Sequence, residues 1–184
     1  MKNIKFWSNN IIRIDSIYKM NLLNSFKAPK IDNISVNICF RSAIENPKTI
    51  LYPITAIKLI TNQKPVICKA KKSIATFKLR KGMLIGAKVT LRKNVAYNFL
   101  SLFVLLVLPN IKELNFKKLN NKSSLSIGMR NLLIFPQLAN YYEKFPKNLG
   151  AIININIKCQ EPKLSNLYLT GFQLPVLNEN MLSK

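Results

Sequence analysis

The stretch that decides the fold is KAKKSIATFKLRKGMLIGAKVTLR, residues 69–92, which holds eight Lys or Arg and no Asp or Glu. Its second half predicts a strand, because apolar residues alternate with Lys88, Thr90 and Arg92. Its first part, residues 71–86, lacks periodicity and predicts a long basic loop. A connection of this length without secondary structure of its own is usually functional or disordered.

The loop mixes cations with apolar side chains. Cations bind phosphates and an aromatic ring stacks on a base or a sugar, so this mixture suits a loop that binds RNA. Two roles stay open for Phe77 and Ile74, because they could contact RNA or could anchor the loop to the core.

The charge of the whole chain points to the same class of partner. The 184 residues carry 29 Lys and Arg against seven Asp and Glu, a formal charge of +22. Such a charge pushes a compact state apart unless a polyanion neutralises it. DNA, RNA and an anionic membrane surface are the candidates, and nucleic acid is favoured. A basic protein with a merely solvated surface is the alternative. The hydrophobic content, 48%, predicts one domain with a sizeable core.

No segment predicts integral membrane association. The most apolar run, residues 95–108, covers only ~21 Å as a helix, against a hydrocarbon core of ~30 Å. We therefore expect a buried helix there. The N-terminal segment is basic and apolar like a mitochondrial presequence, but it has one Arg and also Asp15, so we expect it in the mature protein.

Residues for catalysis are scarce. The chain has no histidine, and its seven acids never pair at helical or strand spacing. Gly82 and Gly86 lack the GK[ST] that completes a phosphate-binding loop. The three cysteines, at positions 39, 68 and 159, form no CxxC motif and are expected to be small buried residues in a reducing compartment. We predict no enzyme, no cofactor and no metal site.

Elsewhere the patterns mix strands and helices without a repeat or a clear linker, so a single domain is expected. Strands are predicted at residues 34–40, 66–69, 87–92, 125–129 and 151–158, and helices at 49–61, 93–108 and 164–170, with a polar connection at 110–124. If the strands share a sheet whose other face is covered by helices, the open face bears cations and amides but no acid. Such a face donates hydrogen bonds to phosphates and sugar hydroxyls, although polar residues also solvate sheets without any function. The residues of this face are Asn37, Lys88, Thr90, Arg92, Asn154, Asn156 and Lys158.

The stretch at 69–92, preceded by LITNQKPV, closely resembles the ribosomal protein L-five family of bacterial-type large subunits. The resemblance extends to KAPKIDNISVNI (27–38), SLSIGMRNLLIFP (124–136), GAIININI (150–157) and GFQLP (171–175), and covers roughly residues 20–175. One departure is NICFRSAIEN (37–46), where the family has a glycine-bearing turn; another is Asn131 and Leu132, which replace an acidic Glu-Gln pair. The resemblance divides the chain into an N-terminal helical extension (1–26), the family domain (27–175) and a C-terminal tail (176–184).

The resemblance implies an α+β domain with an antiparallel sheet backed by helices on one face. It implies binding of 5S rRNA and large-subunit rRNA in the central protuberance, contact between the long loop and P-site tRNA, and contact with small-subunit ribosomal protein thirteen and other ribosomal proteins. The residues expected at rRNA are Asn37, Gln63, Lys64, Lys69, Lys88, Thr90, Arg92, Asn154 and Asn156. Those expected at tRNA are Lys71, Lys72, Ser73, Phe77, Lys78, Arg80, Lys81 and Gly82.

Composition adds an expectation about location. Lys outnumbers Arg 24 to 5, and 23 Asn and 23 Ile stand against nine Ala, which is typical of an A/T-biased genome. Together with the resemblance, this favours a mitochondrial ribosome over a plastid ribosome or an A/T-rich bacterial cytoplasm. A nucleoid DNA-binding protein and a basic membrane-associated protein are the rival functions.

Overall fold

A single antiparallel β-sheet organises the fold. The computed structural model describes residues 3–111, 115–118, 123–146, 149–159 and 161–174. The strands are β1 (Lys30–Cys39), β2 (Val66–Lys69), β3 (Leu84–Arg92), β4 (Asn115–Lys118), β5 (Ser124–Met129) and β6 (Ala151–Lys158). They form one six-stranded sheet in the order β2-β3-β1-β6-β5-β4, and the domain is of the α+β class, as predicted.

The strands form where apolar residues alternate with polar ones, and the apolar side is buried. In β3, Val89 and Leu91 are buried whereas Lys88 and Thr90 are exposed. In β5 and β6, and in β1 from Ile34 onward, the buried side chains likewise fall on alternate positions. The strands predicted from alternation are therefore confirmed. Because the period is two, each of these four strands keeps one side free of the core.

Six α-helices accompany the sheet in the described part of the chain. They are α1 (Asn3–Trp7), α2 (Arg13–Lys19), α3 (Leu51–Thr61), α4 (Lys93–Leu102), α5 (Pro136–Ala139) and α6 (Pro162–Gly171). A π-helical turn, Ser8–Ile12, joins α1 to α2, and another, Phe103–Val107, continues α4. The helix predicted at 49–61 is confirmed as α3, and the one predicted at 164–170 as α6. The helix predicted at 93–108 is confirmed as α4 together with the π-helical turn that continues it. No helix among the described residues is long and apolar enough to cross a membrane.

Three expectations need correction. Strand β3 begins at Leu84 because Leu84 pairs with Lys69 across a bulge, so the predicted loop at 71–86 ends at Met83. The connection at 110–124 contains β4, whose Asn-Phe-Lys-Lys sequence has too few apolar residues to be recognised by alternation. Cys39 is exposed rather than buried, because it is the last residue of β1 and lies outside the alternating core positions; Cys68 and Cys159 are half-buried.

The chain divides into two compact units. The first comprises residues 1–34, 91–127 and 154–184, and the second residues 35–90 and 128–153. In the first unit the Ser8 hydroxyl hydrogen-bonds the Tyr168 hydroxyl at 2.6 Å, and burial raises the pKa of Tyr168 above its ordinary value. In the second unit Tyr52 packs edge-on against both Phe40 and Phe145, with ring centroids 6.3 Å apart in each pair.

Candidate nucleic-acid interface

The predicted basic loop is a hydrogen-bonded hairpin in the second unit. We call residues 70–83 the basic hairpin. At its base the Ala70 N–H donates to the Met83 carbonyl at 2.8 Å, and the Gly82 N–H donates to the Ala70 carbonyl at 3.0 Å. Near its tip Ile74 and Leu79 exchange two backbone hydrogen bonds, of 2.9 and 3.1 Å. The hairpin thus has paired backbone groups along its length.

Two of the predicted tRNA residues have structural roles in this hairpin. The Ser73 Oγ accepts a hydrogen bond from the Lys81 N–H at 3.0 Å, which bridges the two sides of the hairpin. Gly82 has φ of +91°, a left-handed conformation that a residue with a Cβ rarely adopts. Lys78, at the tip after the turn Ala75–Phe77, also lies in the left-handed region, with φ of +54°.

The cations of the hairpin all point to solvent. Every side chain from Lys71 to Lys78 is exposed, as are those of Arg80 and Lys81. Among the described residues, no carboxylate forms an ion pair with any hairpin cation. Like charges held this close repel one another unless a polyanion lies alongside. The exposed cations are Lys71, Lys72, Lys78, Arg80 and Lys81.

Phe77 does not anchor the hairpin to the core. Its side chain is 65% exposed and that of Ile74 is 43% exposed. A ring that anchored the hairpin would be mostly buried, so the aromatic surface of Phe77 is free for contact with another molecule.

In the second unit, the predicted polar side of the sheet is formed by residues of β1 and β3. Lys88 and Thr90 are exposed on one side of β3, and Asn37 is half-buried between buried Val36 and Ile38 on β1. Val66 on β2 lies opposite Lys88 and is 60% exposed, so an apolar group shares this side.

Three further predicted residues in the second unit lie on β2 and just beyond α3. Helix α3 ends at Thr61 and is capped by Asn62, which adopts a left-handed conformation with φ of +53°. Half-buried Gln63 and exposed Lys64 follow it, and exposed Lys69 lies on β2.

The first unit holds the remaining predicted rRNA residues. Arg92 is exposed at the end of β3, and Asn154 and Asn156 are half-buried on the same side of β6. The Asn156 Nδ2 donates to the Asn33 Oδ1 at 2.8 Å, so one amide hydrogen of Asn156 is already bonded within the protein. Asn33 was not predicted; it is half-buried on β1, between exposed Asp32 and buried Ile34.

Sequence reasoning also missed the end of β1 and the turn after it, which line a cleft beside the hairpin tip together with Phe77 and Lys78. The turn Arg41–Ala43 places the exposed Arg41 there. The only sequence signal was that this segment departs from the expected glycine-bearing turn.

Comparison with known proteins identifies the family. Residues 24–80 match ribosomal protein L5, and residues 84–176 match the C-terminal part of the same family. The large ribosomal subunit protein uL5m of Reclinomonas americana is 42% identical over 179 residues, which cover 96% of this chain and 98% of the relative. The chain therefore belongs to the ribosomal protein L5 family, whose members are structural constituents of the large ribosomal subunit rather than enzymes.

Proposed function

We propose that this chain binds large-subunit rRNA in the central protuberance of a mitochondrial ribosome, including 5S rRNA where that ribosome contains it. The chain further contacts P-site tRNA through the basic hairpin. Membership of the ribosomal protein L5 family supports rRNA binding, which is typical of the family. The mitochondrial relative in Reclinomonas americana supports the mitochondrial ribosome as its location.

The observation that carries the proposal is the set of hairpin cations without a carboxylate partner among the described residues. Backbone hydrogen bonds hold the hairpin in shape, so its cations are presented together rather than on a disordered chain. Contacts of cations to phosphates carry no sequence information directly. The hairpin is therefore suited to accept every tRNA in turn through the sugar-phosphate backbone.

The polar sides of the strands supply the proposed rRNA contacts. In the second unit Lys88 and Thr90 offer a cation and a hydroxyl from adjacent exposed positions of β3. In the first unit Asn154 and Asn156 offer amides from alternate positions of β6. Amides and hydroxyls bond both phosphate oxygens and the 2′-hydroxyl that distinguishes RNA from DNA.

Protein partners complete the proposal. Membership of the family supports contacts with other ribosomal proteins. Contact with small-subunit ribosomal protein thirteen is proposed from the family resemblance, and no residue is assigned to it.

Sedimentation tests the proposal against its rivals. In a mitochondrial lysate in high salt, the tagged chain is expected to sediment with large ribosomal subunits, because burial among rRNA and proteins resists the screening that removes loosely bound basic proteins. Recovery with DNA after ribonuclease treatment would favour a nucleoid protein. Recovery with membranes in high salt would favour a membrane-associated protein.

A further inference from the structure

A cleft opens beside the tip of the basic hairpin, in the second unit. One wall is the end of β1 and the turn after it, and the other is the hairpin tip, residues 76–79, with Ile85 at the start of β3. The lining residues of the first wall are Cys39, Phe40, Arg41, Ile44 and Glu45. Its volume is about 510 Å³, within the range of small-molecule sites. We call this space the hairpin cleft.

The walls of the hairpin cleft combine an aromatic ring with aliphatic side chains. The Phe77 ring is 65% exposed, and Ile44, Leu79 and Ile85 are half-buried along the cleft. A flat aromatic surface beside aliphatic groups offers a nucleobase a stacking face and apolar contact.

The hydrogen bonds around the cleft hold both walls in place. The Phe40 N–H donates to the Ile85 carbonyl at 3.0 Å, which ties the end of β1 to the start of β3. The backbone pair between Ile74 and Leu79 closes the tip that carries Phe77. Because these walls are already formed, binding requires little ordering of the protein.

Charges around the cleft decide which part of a nucleotide enters it. Arg41 and Lys78 are exposed lining residues and attract phosphates. Glu45, likewise an exposed lining residue, repels a phosphate placed next to it. A nucleotide satisfies both conditions when its neutral base lies in the cleft and its phosphates lie next to Arg41 and Lys78.

We propose that the hairpin cleft binds one unstacked nucleobase of an RNA strand, with Phe77 as the stacking surface and with Arg41 and Lys78 at the flanking phosphates. This inference rests on the RNA binding proposed above and adds to it a contact with a base. The hairpin then holds RNA in two ways, through salt-sensitive phosphate contacts and through a stacking contact that depends little on salt.

A comparison of two probes separates the two kinds of contact. The full chain is titrated by fluorescence anisotropy with decauridylate and with an abasic decamer of equal phosphate number, at one salt concentration. We expect decauridylate to bind roughly 5- to 150-fold more tightly, the range for stacking of one base on an aromatic side chain. Phe77→Ala should remove this preference while the abasic decamer binds as before, and a circular dichroism spectrum like that of the wild type shows that the variant is folded.

The matched control is Phe26→Ala, because Phe26 is 90% exposed and lies far along the chain from the cleft. This variant should keep the full preference, and Phe77→Trp should keep or increase it. Equal affinities for the two decamers, or a preference that survives Phe77→Ala, would overturn the cleft while leaving phosphate binding in place. Failure of both decamers to bind would overturn the proposed RNA binding as well.

Discussion

The basic hairpin and the N-terminal helices, which are α1, α2 and the π-helical turn between them, both expose many side chains. The two regions differ in the chemical character of what they expose. The hairpin exposes cations that have no carboxylate partner among the described residues. The N-terminal helices expose an apolar row, and their cations bond within the chain: the Lys5 Nζ to the Asn94 Oδ1, the Lys19 Nζ to the Asp15 Oδ2, and the Arg13 Nη2 to the Ser25 carbonyl. The exposed apolar row is Trp7, Ile11, Ile14 and Tyr18.

This difference shows that net charge alone does not locate a nucleic-acid interface. A cation that already donates to a protein neighbour has fewer donors left for phosphate, and one paired with a carboxylate, as Lys19 is with Asp15, also has its charge partly compensated, whereas the hairpin cations keep their donors and their charge. We therefore expect salt-dependent RNA binding to depend on the hairpin and very little on the N-terminal helices.

The largest expected effect comes from removing the hairpin cations. The plot of log affinity for single-stranded RNA against log salt should become shallower by roughly 0.7 for each lost phosphate contact, or about 3.5 for five. Filter binding over a range of salt concentrations measures the slope. The control neutralises Lys5 and Lys19 and should change the slope little; an equal change per substituted cation in the two variants would remove the contrast between the regions. The five substitutions are Lys71→Gln, Lys72→Gln, Lys78→Gln, Arg80→Gln and Lys81→Gln.

A second prediction concerns two closely packed glycines, Gly86 near the basic hairpin and Gly171 next to the N-terminal helices. A Cβ on Gly86 would collide with the backbone carbonyl of Ile38 below the hairpin, and backbone cannot move aside easily. A Cβ on Gly171 would lie 2.7 Å from Ile12 Cγ2, a side-chain atom that can shift. Gly86→Ala should lower the free energy of unfolding by about 3 kcal/mol and Gly171→Ala by about 1 kcal/mol. Urea denaturation measures both, and the reverse order would contradict the packing described.

The polar side of β3 gives a smaller effect on RNA binding. Replacing Lys88 and Arg92 together by Ala should reduce the salt slope of rRNA binding by roughly 0.7 to 0.9 for each lost phosphate contact. Lys163→Ala, an exposed cation on α6, serves as the control. An unchanged slope would show that Lys88 and Arg92 do not touch phosphate.

The smallest effect is on stability at high pH and concerns the N-terminal helices. Burial raises the pKa of Tyr168, so the folded protein keeps the phenol neutral while the unfolded chain ionises near pH ~10. This contribution to stability is present below pH ~10 and is lost as the pH rises further. Tyr168→Phe loses the hydrogen bond to Ser8, which should lower the free energy of unfolding by about 1 kcal/mol at pH 8. Because phenylalanine does not ionise, this variant does not lose stability at high pH through residue 168.

The difference in free energy of unfolding between wild type and Tyr168→Phe should therefore narrow above pH ~10. Thermal unfolding at several pH values in high salt measures it, and Tyr18→Phe, at a 76% exposed tyrosine, is the control. A difference that stays constant would contradict the burial of Tyr168 as the cause.

Much of the sheet could be predicted from the sequence because the pattern in β1, β3 and β6 is local: alternate residues face the core. The shape of the hairpin could not, because the pairing of Ile74 with Leu79 and the bond from Lys81 to Ser73 leave no periodic signal. The hairpin cleft was missed for a related reason. Arg41 and Phe77 lie far apart in sequence, and only the fold brings their segments to one space.

The identity of the exposed cations was predictable, since the stretch contains no acid that could pair with them locally. The bonding of Lys5 to Asn94 was not, because the two residues are 89 positions apart. The sequence therefore indicated where the cations cluster. The structure separates the cations that are bonded within the chain from those that are not.

The binding of P-site tRNA by the basic hairpin is tested most directly by a pair of cryo-electron microscopy maps of the mitochondrial ribosome, with the P site filled and with it empty. We predict that the hairpin cations contact the sugar-phosphate backbone of P-site tRNA in the filled state and lose those contacts in the empty state, while Lys88 and Thr90 contact rRNA in both. A basic hairpin that is enclosed by rRNA in both states, without contact to tRNA, would contradict it.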